Sequence, residues 1–390
     1  MTSDPATIRK YSRRWFLAGA AGTGLLAAAG VAAATPSRGQ LVVSSGNASA
    51  GVLRKLSGEW RPGELPVVED LGEDTGDQYR EMKRRATGGW GDVLLLDTIY
   101  VAEFAQAGLL AELPGDLVRT DLLPGPLATC RQPGDDRLFA VPFNTDVGVI
   151  LSKKPIADDI VDLAKLVAGL PDDSRQFVGQ LIGGNEAFLV NVLEHALAAD
   201  ERFLGMDGRL NNQVDIWTSA LQPLADAIRD GKIFRATTEA ATVAEFTRPG
   251  REFMRNWPYR RDNRSQVQDL AALSRGVLGG QNLAVVAGSS RHDESTDLIR
   301  HLTNAQSQRE LVGSRLLPVD RAAYRDPTLV DAHPDLPVLL MGVEKARPRP
   351  IDAGYVALST RFQERVGAYL DDAPANPFNQ DTVNYVLNGG

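Results

Sequence analysis

The chain has 390 residues, enough for one large or two ordinary domains, and its 43% hydrophobic and 24% charged residues are those of a globular protein. Net charge is −8; the first 34 residues hold four basic residues against one acid, so the rest carries 38 against 49, or −11. A body that acidic argues against nucleic acid and anionic membrane surfaces as partners, and the single Cys130 excludes an intrachain disulfide.

The N-terminus carries the most specific local signal. "SRRWFL" (Ser12 to Leu17) precedes a charge-free stretch rich in Ala and Gly. Paired arginines, Arg13 and Arg14, before a modest apolar run read as a twin-arginine export signal over residues 1–34. "AAA" at Ala32 to Ala34 offers a cleavage site. The stretch from Trp15 to Ala34 is also long enough to anchor the chain if it is not cleaved. No cysteine near that point could take a lipid.

"QLVVSSG" (Gln40 to Gly46) then reads as a strand feeding a loop, and "GVLRKLSGEW" has helical spacing. "LPVVEDLG" predicts a second strand. "DQYREMKRRATGG" predicts a helix stopped by Gly88-Gly89. "DVLLLD" (Asp92 to Asp97) is a continuous apolar strand, followed by a helix in "TIYVAEFAQAGLL". Alternating helices and fully apolar strands imply a parallel sheet covered on both faces. Ligands of such sheets bind beyond the carboxyl ends of strands, where Asp97 sits. "FAVPFNTDVGVILSKK" is two apolar runs split by "NTD", suited to carry the chain between domains. "FVGQLIGGNEAFLVNVLEHAL" predicts a strand, a Gly-Gly turn and a helix from near Asn185. In "FMRNWPY" the strand must end before Pro258, which leaves Trp257 and Tyr259 on a turn. Those rings either cover core or form a binding platform. "GGQNLAVVA" predicts a loop and then a strand. "DESTDLIRHLTNAQSQREL" predicts two polar-faced helices. "PTLVDAHPDLPVLLMGVEKARPRPID" is expected to wrap between lobes, and the chain is helical again from Val356.

Four scattered histidines (His195, His292, His301, His333) show no metal-ligand spacing. G-x-x-x-x-G-K-[ST], H-E-x-x-H and G-x-S-x-G are all absent, so no cofactor and no enzyme chemistry is expected. Asp97, Asp146 and Glu186 could supply the two carboxylates of a glycosidase, a minor alternative.

The order of six stretches resembles the family 1 extracellular solute-binding proteins of ABC sugar importers, in the maltose- and trehalose-binding group. They are "DVLLLDTIYVAEFAQAGLL", "AVPFNTDVGVILSKK", "GGNEAFLVNVLEHAL", "REFMRNWPY", "GGQNLAVVAGS" and "ARPRPIDAGY". The resemblance implies a two-lobed periplasmic-binding-protein-like α/β fold, each lobe a mostly parallel sheet flanked by helices. Lobe 1 would comprise 35–147 and 284–345, and lobe 2 would comprise 148–283 and 346–390. Three crossings are expected, near Val147 to Ile150, Gln281 to Leu283 and Lys345 to Pro350. A monomer would close its lobes on a di- or oligosaccharide by hinge motion and dock on the transmembrane subunits of an ABC permease.

By the same resemblance, Asp97, Asn144, Asp146 and Glu186 would accept hydrogen bonds from sugar hydroxyls. Arg349 would donate to hydroxyls or hold a carboxylate. Trp257 and Tyr259 would stack on a sugar ring. Asn47 and Tyr100 complete the expected set. Asp97 could instead cap the following helix, Glu186 could be a first-turn helix charge, and Arg349 could form a surface ion pair. Gln281 stands where the family usually carries an aromatic. That departure, with the missing lipid anchor, keeps a second reading open: a sensor or interaction protein that serves no importer.

Overall fold

The computed structural model describes residues 41–61, 63–72, 74–262 and 266–389. The expected export signal lies outside the described residues. No helix among the described residues is long and apolar enough to cross a membrane. The strands in chain order are β1 (Val42–Ser45), β2 (Val67–Asp70), β3 (Val93–Asp97), β4 (Val141–Val147), β5 (Val149–Ser152), β6 (Ile160–Val161), β7 (Phe177–Gly179), β8 (Ile233–Arg235), β9 (Phe253–Asn256), β10 (Asp269–Leu273), β11 (Val277–Val285), β12 (Leu317–Pro318) and β13 (Arg347–Pro348).

These strands build two sheets, one per lobe. The first has the order β12-β4-β11-β3-β1-β2, with β13 also paired to β11; the second has the order β6-β10-β5-β9-β7-β8. Both sheets are mixed, where the sequence predicts mostly parallel ones. β1 runs parallel to β2 and β3, but β11 runs antiparallel to β3 and β4. The reason is connectivity. β4 leaves the first sheet and β11 enters it through the same joint, so the two must run in opposite directions. In the second sheet β5 enters and β10 leaves, and they too are antiparallel.

Gly148 alone separates β4 from β5 and forms the first passage between the sheets. The return lies between Leu273 and Val277, ahead of the expected 281–283, because all of β11 belongs to the first sheet. Gly279 to Gln281 is therefore strand, not loop. Gly280 makes this possible: its φ is +122°, and a Cβ there would collide with the carbonyl of Asn144 and lie 2.6 Å from Thr145 Cα. β11 and β4 approach more closely than a side chain would allow.

Each lobe has its own core. Val43, Leu53, Leu95, Phe104, Phe143 and Leu283 are fully or almost fully buried in the first; Phe177, Phe188, Trp217 and Phe362 are buried in the second. Burying each such side chain contributes about 1.5–3 kcal/mol. A third cluster draws Val147 and Leu278 from the first sheet and Val149, Met254 and Leu270 from the second. The helix Leu336–Lys345 covers it with Leu336, Leu340 and Val343. The sequence reading expects this Pro-rich stretch to wrap between lobes and names no helix in it. Pro327 and Pro337 stand in the first turns of the helices Pro327–Ala332 and Leu336–Lys345, where a missing N–H leaves no bond unmade.

Beneath the first passage lies a fully buried ion pair. Arg255 on β9 donates to Glu194 through Nε at 2.6 Å and Nη2 at 2.7 Å, and both side chains are 0% exposed. Gly148 runs directly over it. A Cβ there would collide with Glu194 Oε1 and lie 2.5 Å from Arg255 Nη2. Gly148→Ala should therefore force the pair apart and lower stability by about 3 kcal/mol, the scale for breaking a buried pair. Chemical denaturation checks this, and an unchanged midpoint would show that the pair can shift without loss.

Candidate functional site

Strand register sets one row of side chains across the first sheet. Asp97, at the end of β3, pairs with Gln281 on β11, which pairs with Asn144 on β4. Directly opposed residues share a face of the sheet. Asp146, two residues beyond Asn144, is on that face as well, opposite Gly279. Four expected site residues thus line one face of the first sheet.

Arg349 joins this row to the second lobe. It follows β13 and is 5% exposed. Its Nη2 donates to Asp97 Oδ1 at 2.6 Å and to Thr98 Oγ1 at 3.2 Å, and its Nη1 donates to Glu186 Oε1 at 3.0 Å. Burial works against the guanidinium charge, but Asp97, Tyr355 and Glu186 outweigh it and raise its pKa further. Arg349 Nε is buried without a partner. The surface ion pair considered from sequence is therefore a buried bridge.

Glu186 opens the helix Glu186–Ala199, whose N-cap is Asn185. Its carboxylate also accepts from Tyr355 Oη, and from Ser359 Oγ at 3.0 Å. Burial raises the Glu186 carboxyl against the pull of Arg349. Asp97 also serves its own turn, since its Oδ1 accepts from the Ile99 amide at 3.3 Å. Tyr100 lies beside them, its ring centroid 4.6 Å from that of Tyr79. Burial, with Asp97 and Glu186 adding, raises the Tyr100 phenol. Gln281 Oε1 accepts the Ser49 hydroxyl at 2.5 Å, which ties the row to the helix Asn47–Gly58. The side chain of Asn47 lies outside the described residues.

Trp257 and Tyr259 follow β9, and a turn of 3-10 helix, Pro258–Asp262, begins at the proline. One carboxylate holds both rings. Glu239, first residue of the helix Glu239–Phe246, accepts from Trp257 Nε1 at 2.9 Å and from Tyr259 Oη, and Arg260 Nη2 donates to it at 2.9 Å. Behind the indole, the Arg255 guanidinium lies 4.2 Å from the ring centroid. A Cβ on Gly279 would lie 3.4 Å from the Trp257 ring and 3.3 Å from Asp146 Cβ, so the indole and the acid flank one spot. The sequence reading missed Glu239, Arg255, Glu194, Thr98, Ser49, Tyr355 and Ser359. Only "TTEA", the helix start that contains Glu239, carried a local signal, and it did not reveal the aromatic partners.

A separate concavity of about 800 Å³ opens beside Gly183 and Gly184, lined also by Arg235, Gln363, Gly367 and Asp371. No group of acids, histidines or cysteines among the described residues could hold a metal ion.

Two outcomes follow from this geometry. Glu239→Ala should release both rings and Arg260, with loss of near-ultraviolet circular dichroism from Trp257 and about 1.5–3 kcal/mol of stability. Glu239→Gln should keep most of the signal; equal loss in both variants would mean that the rings are held by packing. The second outcome concerns Asp146. Burial pushes its carboxyl from the ordinary 3.8 up to about 8, so between those values the native state holds a proton that the unfolded chain has lost. Stability should therefore fall as pH rises from about 4 to 8. Asp146→Asn should melt increasingly above the wild type over that range, and parallel melting curves would contradict it.

Comparison with known proteins identifies the architecture. The family model described as bacterial extracellular solute-binding protein matches residues 67–338. A probable ABC transporter-binding protein of Deinococcus radiodurans is 27% identical over 231 residues, 51% of this chain and 55% of that protein. The chain thus spans about half the length of this curated relative. Among solved structures, maltose-bound MalE3 of T. maritima superposes with a TM-score of 0.73 at 24% identity, covering 89% of this chain and 98% of that one. The GacH receptor of Streptomyces glaucescens gives 0.69 at 20% identity, with coverage of 89% and 98%. The cyclic maltosyl-maltose binding protein of Arthrobacter globiformis gives 0.68 at 18%, with coverage of 90% and 99%. These likenesses establish the two-lobed fold, and the match over residues 67–338 establishes more: the chain belongs to the bacterial extracellular solute-binding proteins, a family of binding proteins and not of enzymes.

Proposed function

We propose that the chain is an exported carbohydrate-binding protein of the maltose- and trehalose-binding group, which closes its lobes on a di- or oligosaccharide and delivers it, as a monomer, to an ABC permease. The observation that carries this reading is the row Asp97, Gln281 and Asn144 on the first sheet, tied through Arg349 to Glu186 on the second lobe. Polar groups in a row beside an indole and a phenol suit a ring that is polar at its rim and apolar on its faces. The hinge would consist of Gly148, residues 274–276 and the segment that follows β13. Similarity to the relatives named above supports the ligand class, since their names speak of maltose, cyclic maltosyl-maltose and ABC transport.

A second reading, a sensor or interaction protein without a permease, draws on one feature. Gln281 stands in place of the family's aromatic, and its side chain is engaged by Ser49. Such a chain would keep the fold with a smaller stacking surface.

A thermal-shift screen against di- and oligosaccharides distinguishes the readings, because a ligand that binds only the native state raises its melting temperature. A stabilising saccharide is expected. Asp97→Ala should then weaken its binding by roughly 1.5–3 kcal/mol, measured by calorimetry. Unchanged affinity would reduce Asp97 to a turn residue, and no response to any saccharide would favour the second reading. Export by the twin-arginine route has its own check: changing Arg13 and Arg14 to Lys should hold the protein in the cytoplasm, and normal export would remove that route.

A further inference from the structure

Gln281 stands where the family usually carries an aromatic, and the structure fixes one end of its side chain while leaving the other open. Its Oε1 accepts the hydroxyl of Ser49, a fully buried residue on the helix Asn47–Gly58, at 2.5 Å. That bond sets which way the amide faces. Its Nε2 has no partner among the described residues and is not a buried atom. Asp97, directly opposite on β3, is divided in the same way. Its Oδ1 accepts from Arg349 Nη2, the Thr98 hydroxyl and the Ile99 amide. Its Oδ2 accepts from none of the described residues and is likewise open to solvent; the side chain is 26% exposed. Residues opposed in this way have Cβ atoms about 4.5–5.5 Å apart. A free carboxylate oxygen and a free amide nitrogen therefore stand side by side where solvent reaches both.

We propose that Gln281 is a specificity-determining residue, and that this acceptor–donor pair grips the hydroxylated edge of a sugar ring. One hydroxyl donates to Asp97 Oδ2, and the oxygen of that hydroxyl or of its neighbour accepts from Gln281 Nε2. The first lobe thus selects a sugar with free hydroxyls at this edge, where an aromatic in the same place would have taken the apolar face of the ring. The inference deepens the carbohydrate reading and rests on it.

The chemistry of the pair selects the group. A hydroxyl both donates and accepts, so it completes the two open positions. An ammonium has no acceptor for the amide N–H, and a ligand carboxylate has no donor for Asp97 and would face its charge. An aliphatic group would cover both positions and leave them unpaired. The bond to Asp97 is charge-assisted, and it does not require Arg349 to leave, because Arg349 uses the other oxygen. Ser49 holds the amide in one orientation beforehand, so less side-chain freedom is lost when the ligand arrives. A site that bonds a hydroxyl in this way rejects the analogue lacking it more strongly than an apolar pocket rejects a missing methylene.

The test is calorimetry on the full chain at pH 7, with maltose, trehalose and the monodeoxy forms of each as probes. In at least one of the two sugars, loss of one hydroxyl should weaken binding about tenfold or more. Gln281→Glu keeps the shape of the side chain and an acceptor for Ser49, but turns the free donor into an acceptor. It should bind the parent sugar about tenfold more weakly. The same hydroxyl deletion should cost it about threefold less than it costs the wild type. A glutamine that only braced Ser49 would leave this variant binding as the wild type does. Gln281→Leu supplies the same comparison should that variant not fold. Three results would each overturn the Gln281 contact and leave the carbohydrate reading in place: unchanged parent affinity in a folded variant, a deletion that costs variant and wild type the same, or a wild type indifferent to every deletion. No binding of any probe to the folded wild type would overturn both.

Discussion

Arg349 is the side chain on which the geometry between the lobes depends. Its guanidinium holds Asp97 at the end of a first-sheet strand and Glu186 at the start of a second-lobe helix. A charge buried this far is tolerated only with partners on both sides, and removing either would leave an uncompensated ion. Movement of one lobe against the other must therefore break one half of this bridge or admit water to it. In the proposed function, the same atoms that recognise a sugar also set the free energy of closure. A ligand hydroxyl that reaches Asp97 or Glu186 must share them with Arg349.

The aromatic side of the site follows a different rule. Trp257 and Tyr259 sit on a turn, where two large rings would ordinarily be mobile. Glu239 removes that freedom with one carboxylate, and the Glu194–Arg255 pair supports the indole from behind. That pair also lies under Gly148, the single residue between β4 and β5. Platform and first passage therefore share one buried support. A platform fixed in advance loses less conformational entropy when a ligand arrives.

How much of this was legible in the sequence depends on range. The apolar run Val93–Leu96 gave a buried strand with Asp97 at its end, and the caps around Asn185 and Gly89 marked helix boundaries; these are local signals. The antiparallel course of β11 was not legible, because Gly279-Gly280 looks like a loop until β4 is placed against it. The Pro-rich stretch around 327 and 337 read as a wrap between lobes without showing its helices, for a similar reason: only an N-terminal position in a helix makes those two prolines harmless. Family resemblance pointed to Asp97, Glu186 and Arg349 but not to their mutual bonding. Glu239 carries no sign of its role in its own neighbourhood, since the aromatic rings it holds come 18 and 20 residues later.

The most direct test of the account is a distance between lobes. Cys130 is fully buried, and burial raises its thiol well above the ordinary range, so introduced cysteines can be labelled selectively. Exposed Glu59, in the first lobe, and exposed Thr218, in the second, are suitable positions for a spin-label pair. Hinge closure on a saccharide predicts that a stabilising disaccharide shifts the distance distribution towards one shorter, narrower population. The same distribution with and without saturating saccharide would contradict closure on a sugar as this protein's mode of action.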